Sequence, residues 1–322
     1  MIGSAAMDDQ ICRSFARRLG IVVAVPEYRL APEHRFPAPL DDCYEALRWL
    51  SSQSDIDPTR VAVGGSSAGG GLAAALALRV REERDVVLAF QLLTYPMLDD
   101  RTVNRADIDE RHVRLWNNKA NRLGWESYTG VPAGSDGVSA LAAPGRCRDY
   151  AGLPPAWIGV GTCDLFHDEC VAYADELRAA GVACDLEVVG GAFHGFDYVS
   201  RSAVVRAFRQ AQMTALASAL GLRKRRFRTR SNWRKRRPAL GSIRTELAHQ
   251  PVASVRHSRR RLPLRWLRTE YGRTRSLPIV AVLLIIDLAQ VLSLEELARL
   301  HRRARRNCCI LCHVPCPWGW SR

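Results

Sequence analysis

Lysine is almost absent from this 322-residue chain, which has three lysines against 44 arginines. A bias of this kind points to a GC-rich coding sequence. Long apolar runs are missing as well: the stretch 279–286 ends at Asp287 and is too short to cross a bilayer. We therefore expect no membrane span, and we interpret this stretch as a strand or as the edge of an amphipathic helix. No internal repeat is visible, which excludes a repeat architecture.

Acidic residues are lacking in the last third of the chain. Residues 222–322 contain 25 Lys+Arg and 5 Asp+Glu, whereas residues 1–221 contain 22 and 28. The sequence pI of about 9.8 therefore belongs to the carboxyl-terminal part alone. We predict a mildly acidic, cytoplasmic domain over residues 1–221. An irregular Arg-rich tail over 222–322 would follow it, either disordered or translated from a shifted reading frame.

The ten cysteines show no disulfide framework. Six are scattered through residues 1–221, as the reduced thiols of a cytosolic protein would be. The other four lie within 308–316 and include a Cys-x-x-Cys-His match at 309–313, a pattern that can attach haem or contribute to a zinc site. Haem attachment requires export, no signal peptide is recognisable, and no other zinc-finger pattern accompanies the cluster. We therefore expect neither a metal nor a cofactor.

A Gly-x-Ser-x-Gly turn follows the apolar run 61–63 and leads into an Ala/Leu-rich stretch. Only Ser67 has glycine two positions away on both sides, at Gly65 and Gly69. This strand–turn–helix context is typical of a nucleophile elbow, in which the sharp turn leaves little room for side chains at the flanking positions. The pattern predicts Ser67 as a nucleophile.

A serine nucleophile needs a base, and the base needs an orienting acid. Asp164 follows the strand-like run 156–161, and His194 follows the run 182–189, in the chain order Ser, acid, His. Loops at the carboxyl ends of strands are where an open α/β sheet places its chemistry. We predict that Ser67 attacks an acyl carbonyl and that His194 takes and returns its proton. Asp164 would fix the imidazole tautomer and stabilise the imidazolium.

Other interpretations of these residues are open at this point. Asp164 can be the N-cap of a helix that begins near His167. Asp168 and Glu169 are rival carboxylates, although the first turn of a helix favours acids in any case. A histidine in a Gly-rich loop, such as His194, can be a hydrogen-bonded turn residue.

Several stretches occur in the order found in one family, and the sequence resembles the hormone-sensitive-lipase group of bacterial carboxylesterases over residues 1 to about 221. The matching stretches are 28–33, 36–42, 65–70, 95–98, 152–155, 164–169 and 194–196. The resemblance implies an α/β-hydrolase fold, hydrolysis of short-chain acyl esters and no cofactor. It also implies a catalytic triad of Ser67, Asp164 and His194.

Two departures from that family pattern concern the amino-terminal side. The family places a His-Gly-Gly-Gly stretch, which supplies much of the oxyanion hole, before the segment that matches residues 1–18. Nothing in this chain matches it, so Ala68 N–H is the expected oxyanion donor. The family also has a strand between those matching 21–25 and 61–63, and its loss would leave buried backbone groups unpaired. We therefore expect an amino-terminally truncated hydrolase with weak catalysis.

The remaining pattern predicts strands alternating with helices, and so a mostly parallel sheet with helices on both faces and its first strands missing. The predicted helices are 8–19, 40–51, 68–84, 167–180 and 200–220, and the predicted strands are 21–25, 61–63, 86–93, 156–161 and 182–189. A polar stretch, 99–150, is interpreted as a partial cap. Its aromatics Trp116, Trp125 and Tyr128 either line a substrate pocket or only pack the cap.

The function favoured by these patterns is that of a carboxylic-ester hydrolase whose partner is a small-molecule ester. The alternative is a basic protein that binds nucleic acid or another polyanion through 223–228 and 234–237, with Trp233 stacking on a base. Since polycations bind polyanions unspecifically and no nucleic-acid fold signature is present, we expect no specific nucleic-acid partner. The sequence leaves the oligomeric state open.

Overall fold

The computed structural model describes residues 8–199, 202–222, 264–267 and 282–286. The helices are α1 Asp9–Leu19, α2 Ala38–Ser51, α3 Ala68–Glu83, α4 Asn118–Thr129, α5 His167–Ala179, α6 Phe196–Val199 and α7 Ala203–Ala219. The strands are β1 Val22–Pro26, β2 Val61–Ser66, β3 Phe90–Thr94, β4 Ala156–Cys163, β5 Cys184–Phe193, β6 Leu264–Leu267 and β7 Val282–Ile286.

The seven strands form a single sheet in the order β5-β4-β3-β2-β7-β1-β6. All neighbouring strands are parallel except β1 and β6, which pair antiparallel at one edge. Strands β1, β2 and β3 are buried or nearly so along their whole length, as expected for a parallel sheet covered by helices on both faces. This is the α/β architecture that the alternation of strands and helices predicts.

The helices pack in two groups around the sheet. Helix α3 lies against β2 and β3 and contacts α2, whereas α1 and α7 contact each other and reach β1, β3 and β4. Their apolar faces join one continuous core. Helix α3 approaches the loop after β3 closely enough that a Cβ at Gly71 would lie 2.1 Å from the Met97 carbonyl oxygen. Gly70 and Gly71 therefore allow α3 to pack closely against Pro96 and Met97 of that loop.

Several predicted boundaries differ from the structure, among them the end of strand β5, which runs to Phe193 and not to residue 189. Strand β3 begins at Phe90 and not at residue 86, because the pairing of β3 with β2 and β4 starts at Phe90 and Gln91. The predicted helix over 200–220 begins only at Ala203, where the Ser202 side chain accepts a hydrogen bond from the Val205 amide. Such an N-cap defines the start of a helix more sharply than hydrophobic periodicity does.

The resemblance led us to expect a vacant position between β1 and β2. Strand β7, from the Arg-rich part of the chain, occupies this position. The apolar stretch 279–286 thus contributes a strand, one of the two alternatives that its sequence allowed. Strand β6 also comes from this part of the chain and borders β1 on the other side. The cysteine cluster at 308–316 and the basic clusters at 223–228 and 234–237 lie outside the described residues.

The predicted cap region, 99–150, contains α4 and three short 3-10 helices, at Asp100–Asn104, Glu110–His112 and Pro144–Arg146. An ion pair with the buried Asp100 carboxylate ties its two ends together: Arg146 Nε donates to Asp100 Oδ1 at 2.5 Å. The Gly134 amide donates to the other oxygen of the same carboxylate at 2.7 Å. Among the helices of the described ranges, none has the length and apolar character needed to cross a membrane.

Candidate active site

Ser67 lies at the turn between β2 and α3, in the geometry that the Gly-x-Ser-x-Gly pattern predicts. Its backbone has φ 56° and ψ −122°, in a region that side-chain-bearing residues rarely adopt. A Cβ at Gly65 would lie 2.3 Å from the Gly69 carbonyl oxygen, so the turn can close only with glycine at that position. The Ser67 amide donates to Thr94 O at 2.9 Å, and Ser67 O accepts from Met97 N at 3.0 Å. These bonds hold the strained turn against the loop after β3.

His194 follows the end of β5 and reaches Ser67 across the carboxyl edge of the sheet. The distance between His194 Nε2 and Ser67 Oγ is 2.9 Å, and that between His194 Nδ1 and Asp164 Oδ2 is also 2.9 Å. All three residues are buried, with at most 4 % of each exposed. The structure therefore brings together the three predicted residues in one hydrogen-bonded chain, although 127 positions separate Ser67 from His194.

Asp164 makes a second contact, within the short turn that precedes α5. Its Oδ1 accepts a hydrogen bond of 2.9 Å from the Phe166 amide, near the start of α5, while Oδ2 faces His194. Asp164 is therefore not the N-cap of α5: the N-cap residue is Phe166, and no side chain caps this helix. The backbone contact holds the carboxylate in the orientation that the imidazole requires.

The rival carboxylates do not contact His194. Asp168 binds His167 Nδ1 at 2.7 Å and Arg105 at 2.9 Å, and the hydrogen bond from His167 followed by the Arg105 charge lowers the pKa of Asp168. Glu169 is half-buried and accepts from Leu98 N at 2.7 Å. Burial raises the pKa of Glu169 well above its ordinary value, and this carboxyl anchors the loop after β3.

Three aromatic rings enclose the imidazole, and sequence reasoning gave none of them this role. The ring centroids of Tyr95 and Phe166 lie 4.8 Å and 5.2 Å from that of His194, both edge-on, and that of Trp116 lies at 6.4 Å. Tyr95 and Phe166 stand in stretches that match the family, and this match was the only sequence signal that could have pointed to a role at the site. Their contact with His194 depends on the tertiary structure.

An apolar pocket begins beside the triad. It encloses about 610 Å³ of empty space including its open mouth. Its wall includes Ala68, the residue after Ser67, and Trp116, which packs near His194. Leu30, Met97, Trp125 and Tyr128 also line it. Of the two interpretations of the cap aromatics, lining the pocket is therefore the one observed.

The Ala68 amide is the first of α3. Amides in the first turn of a helix have no acceptor within the helix, and the helix dipole adds partial positive charge there. An anionic oxygen on a carbon bound to Ser67 Oγ would lie next to this amide. Within the described ranges, no group of three or more His, Cys, Asp or Glu side chains has the arrangement of a metal site.

The serine stands at a strained strand-to-helix turn and is hydrogen-bonded to a histidine, which is hydrogen-bonded to an aspartate. This arrangement defines the serine-hydrolase class of α/β proteins. The chain belongs to the alpha/beta hydrolase fold family, whose sequence pattern it matches over residues 1–198.

Two similar curated proteins are ester hydrolases. The ethyl acetate hydrolase of Pseudomonas putida is 35% identical over 202 residues, which cover 61% of this chain and 62% of that protein. Carboxylesterase NlhH of Mycobacterium tuberculosis is 36% identical over 232 residues, with 67% and 69% covered. The chain thus spans about two thirds of the length of these curated relatives.

Two similar solved structures are also those of esterases. A bacterial heroin esterase superimposes with a TM-score of 0.64 at 41% identity, covering 69% of this chain and 71% of that chain. Esterase LipW from Mycobacterium marinum superimposes with a TM-score of 0.62 at 36% identity, covering 67% and 69%. These relatives confirm the predicted fold class and the resemblance to bacterial carboxylesterases. They give no support to the polyanion-binding alternative.

Proposed function

We propose that the chain hydrolyses short-chain carboxylic esters with Ser67 as nucleophile, His194 as general base and acid, and Asp164 as the orienting carboxylate. The observation that carries this proposal is the buried chain of two 2.9 Å contacts from Ser67 Oγ through the imidazole to Asp164. The esterase activity of the similar proteins supports the reaction class.

The first half-reaction forms an acyl-enzyme. His194 Nε2 takes the proton of Ser67 Oγ as this oxygen attacks the ester carbonyl carbon, and Asp164 stabilises the resulting imidazolium through Nδ1–H. The Ala68 amide donates to the carbonyl oxygen as it becomes anionic, a kind of contact worth roughly 10²–10³ in kcat. The imidazolium then gives its proton to the leaving alcohol, and the carbon–oxygen ester bond breaks.

The second half-reaction returns the enzyme to its starting state. A water molecule in the place of the departed alcohol gives a proton to His194 and attacks the acyl carbon, and Ser67 leaves with the proton from the imidazolium. The acyl chain lies in the apolar pocket beside Ala68. The pocket wall is formed by large rings such as Trp116 and Trp125, which suits a short acyl group.

The test is the hydrolysis of p-nitrophenyl acetate and butyrate by the full chain, by Ser67→Ala and by Ser66→Ala. Ser66 is the adjacent serine, so its variant controls for removal of a hydroxyl at the elbow. We expect Ser67→Ala to lose at least about 10³ in kcat and Ser66→Ala to retain activity, because Ser66 is not bonded to His194. Equal activity in wild type and Ser67→Ala would exclude the proposal.

A fluorophosphonate probe gives a second, independent readout. Mass spectrometry of the labelled protein should place the adduct on Ser67, and the label should be absent from Ser67→Ala. A folded wild-type chain that never carries the label at Ser67 would contradict the assigned nucleophile.

A further inference from the structure

The two strands that flank the middle of the sheet do not pair with each other. Strand β1 pairs with β7 through Val22↔Val282, Val23↔Leu283 and Ala24↔Leu284. Strand β2 pairs with the opposite side of β7, from Val61↔Val282 to Gly65↔Ile286. The order β2-β7-β1 therefore depends on a segment that follows α7 by many residues in the chain.

The inner edges of β1 and β2 lie in the interior of the protein. Val23 and Ala24 of β1 are 0% and 1% exposed, and Val61 and Val63 of β2 are both 0% exposed. A backbone amide or carbonyl in such a place needs a hydrogen-bond partner, since water does not reach it. With β7 in place, those on the inner edges are paired in two parallel ladders.

The sequence of β7 suits this position. Val282–Ile286 reads Val-Leu-Leu-Ile-Ile, a continuous apolar run of the type found in parallel strands that are buried on both faces. It runs parallel to both neighbours, so it continues the direction of the sheet. Asp287 directly follows the run. Aspartate is depleted in strands, so the sequence itself favours an end of the strand at this position.

Strand β7 also reaches the site. Its pairing with β2 extends to Gly64↔Ile285 and Gly65↔Ile286, and Gly65 stands two residues before Ser67. The strand that carries the proposed nucleophile is therefore held by β3 on one side and by β7 on the other.

We propose that the inner edges of β1 and β2 form an acceptor slot for one parallel apolar strand, and that the chain's own segment Val282–Ile286 is the occupant that the fold requires. The basic part of the chain then has a structural role at this segment. The elbow before Ser67 depends on a segment more than 200 residues away in sequence. This inference rests on the pairing of the strands and not on the proposed esterase function.

Hydrogen exchange of the full chain, followed by mass spectrometry, tests the proposal directly. The peptide that covers 282–286 should be protected to a similar degree as the one that covers 61–66. Exchange of 282–286 at the rate of an unstructured peptide, with 61–66 still protected, would overturn it. Protection of 282–286 that disappears on dilution would show pairing between two copies, and would overturn the assignment to the chain's own segment.

Two proline variants supply a matched pair. Leu284→Pro removes a backbone donor inside β7, where proline is not tolerated in a central strand. Leu292→Pro makes the same change in the same residue type, eight positions further along the chain and beyond the described strand Val282–Ile286. We expect Leu284→Pro to increase deuterium uptake in 22–26 and 61–66 at least tenfold in rate, or to abolish folding, with Leu292→Pro close to wild type. Uptake that is the same in Leu284→Pro and wild type would refute the role of β7.

Discussion

The Tyr95 hydroxyl donates a hydrogen bond of 2.8 Å to the Asp197 carboxylate, while the ring of the same tyrosine packs edge-on against His194 at 4.8 Å. Asp197 comes three residues after His194, and Arg209 donates to its backbone oxygen at 2.9 Å. Tyr95 has a φ of 35°, which is rare for a bulky side chain, so its surroundings determine its conformation. The imidazole is thus held by a ring that is itself anchored to the segment carrying the histidine.

Tyr95→Phe tests this anchor, because it removes the hydroxyl and keeps the ring. We expect a loss of about 1–3 kcal/mol in the free energy of unfolding, since the buried Asp197 carboxyl loses a donor. A lower kcat for ester hydrolysis should accompany it, because the ring against His194 is no longer fixed. Urea unfolding and steady-state kinetics measure the two effects.

Tyr173→Phe is the control for that change. Tyr173 is also fully buried, but its hydroxyl has no hydrogen-bond partner among the residues that the structure describes. Its removal should leave stability and kcat within error of wild type, or raise stability slightly. If both variants behaved alike, the Tyr95–Asp197 bond would have no positioning role.

The turn at Ser67 leads to a prediction about Gly65→Ala. A Cβ at Gly65 would lie 2.3 Å from Gly69 O and 2.8 Å from Gly70 N, both backbone atoms that cannot move aside cheaply. We expect a loss of at least about 1–3 kcal/mol in stability, the usual cost of overpacking, together with loss of activity. Gly190→Ala in β5 is the matched change, since a Cβ there has nothing within 4 Å in the described part of the chain. The stability of Gly190→Ala should stay within about 0.5 kcal/mol of wild type. If Gly190→Ala and Gly65→Ala lost similar stability, crowding at the elbow would not be the reason that glycine is required there.

The elbow and the two other proposed catalytic residues could be predicted because each has a local signature. Ser67 stands between spaced glycines, and Asp164 and His194 each follow an apolar run that forms a strand. Parallel strands end at the same edge, so residues after their carboxyl ends meet there without any further information. The fold class follows from the same alternation.

The remaining features depend on contacts between distant parts of the chain. Tyr95 and Asp197 are 102 positions apart, and neither stands in a local pattern that names the other. Glu169 was considered only as a rival acid, because sequence does not reveal that its side chain accepts hydrogen bonds from the loop after β3. The stretch 279–286 had the composition of a strand, but composition cannot say which strands it pairs with.

The burial of Glu169 predicts a pH dependence of stability. Burial raises its pKa well above the ordinary value of 4.5, so the folded protein holds this proton at pH values where the unfolded chain has released it. The stability that the protonated carboxyl contributes is complete below about pH 4.5 and is lost as the pH rises toward the pKa of the folded state.

Glu169→Gln should remove this dependence, since the amide oxygen can still accept from Leu98 N and the amide nitrogen can donate to Thr102. The stability of wild type relative to Glu169→Gln should therefore fall with rising pH, by up to about 1.4 kcal/mol per unit. Urea unfolding between pH 4.5 and 8 measures it, with Glu176→Gln, an exposed position on α5, as the control for removal of a charge. Parallel pH curves for wild type and Glu169→Gln would contradict the prediction.

Trp116 limits the pocket beside the triad, and its removal should change the preferred acyl chain. The side chain is buried, its ring lies 6.4 Å from that of His194, and a Cβ at Gly124 would lie 3.1 Å from its Cζ2 atom. In Trp116→Ala the space of the ring becomes available to additional methylene groups of the substrate. One methylene group in a fitted apolar site contributes about 1–3 kcal/mol of binding free energy. The ratio of kcat/KM for p-nitrophenyl hexanoate to that for the acetate should rise roughly tenfold. Because the two substrates are compared on one variant, loss of folded protein does not change this ratio.

Trp49→Ala, at a position on α2 outside the pocket wall, is the control and should leave the ratio unchanged. If the ratio in Trp116→Ala equalled that in Trp49→Ala, another residue would set the length of the acyl chain.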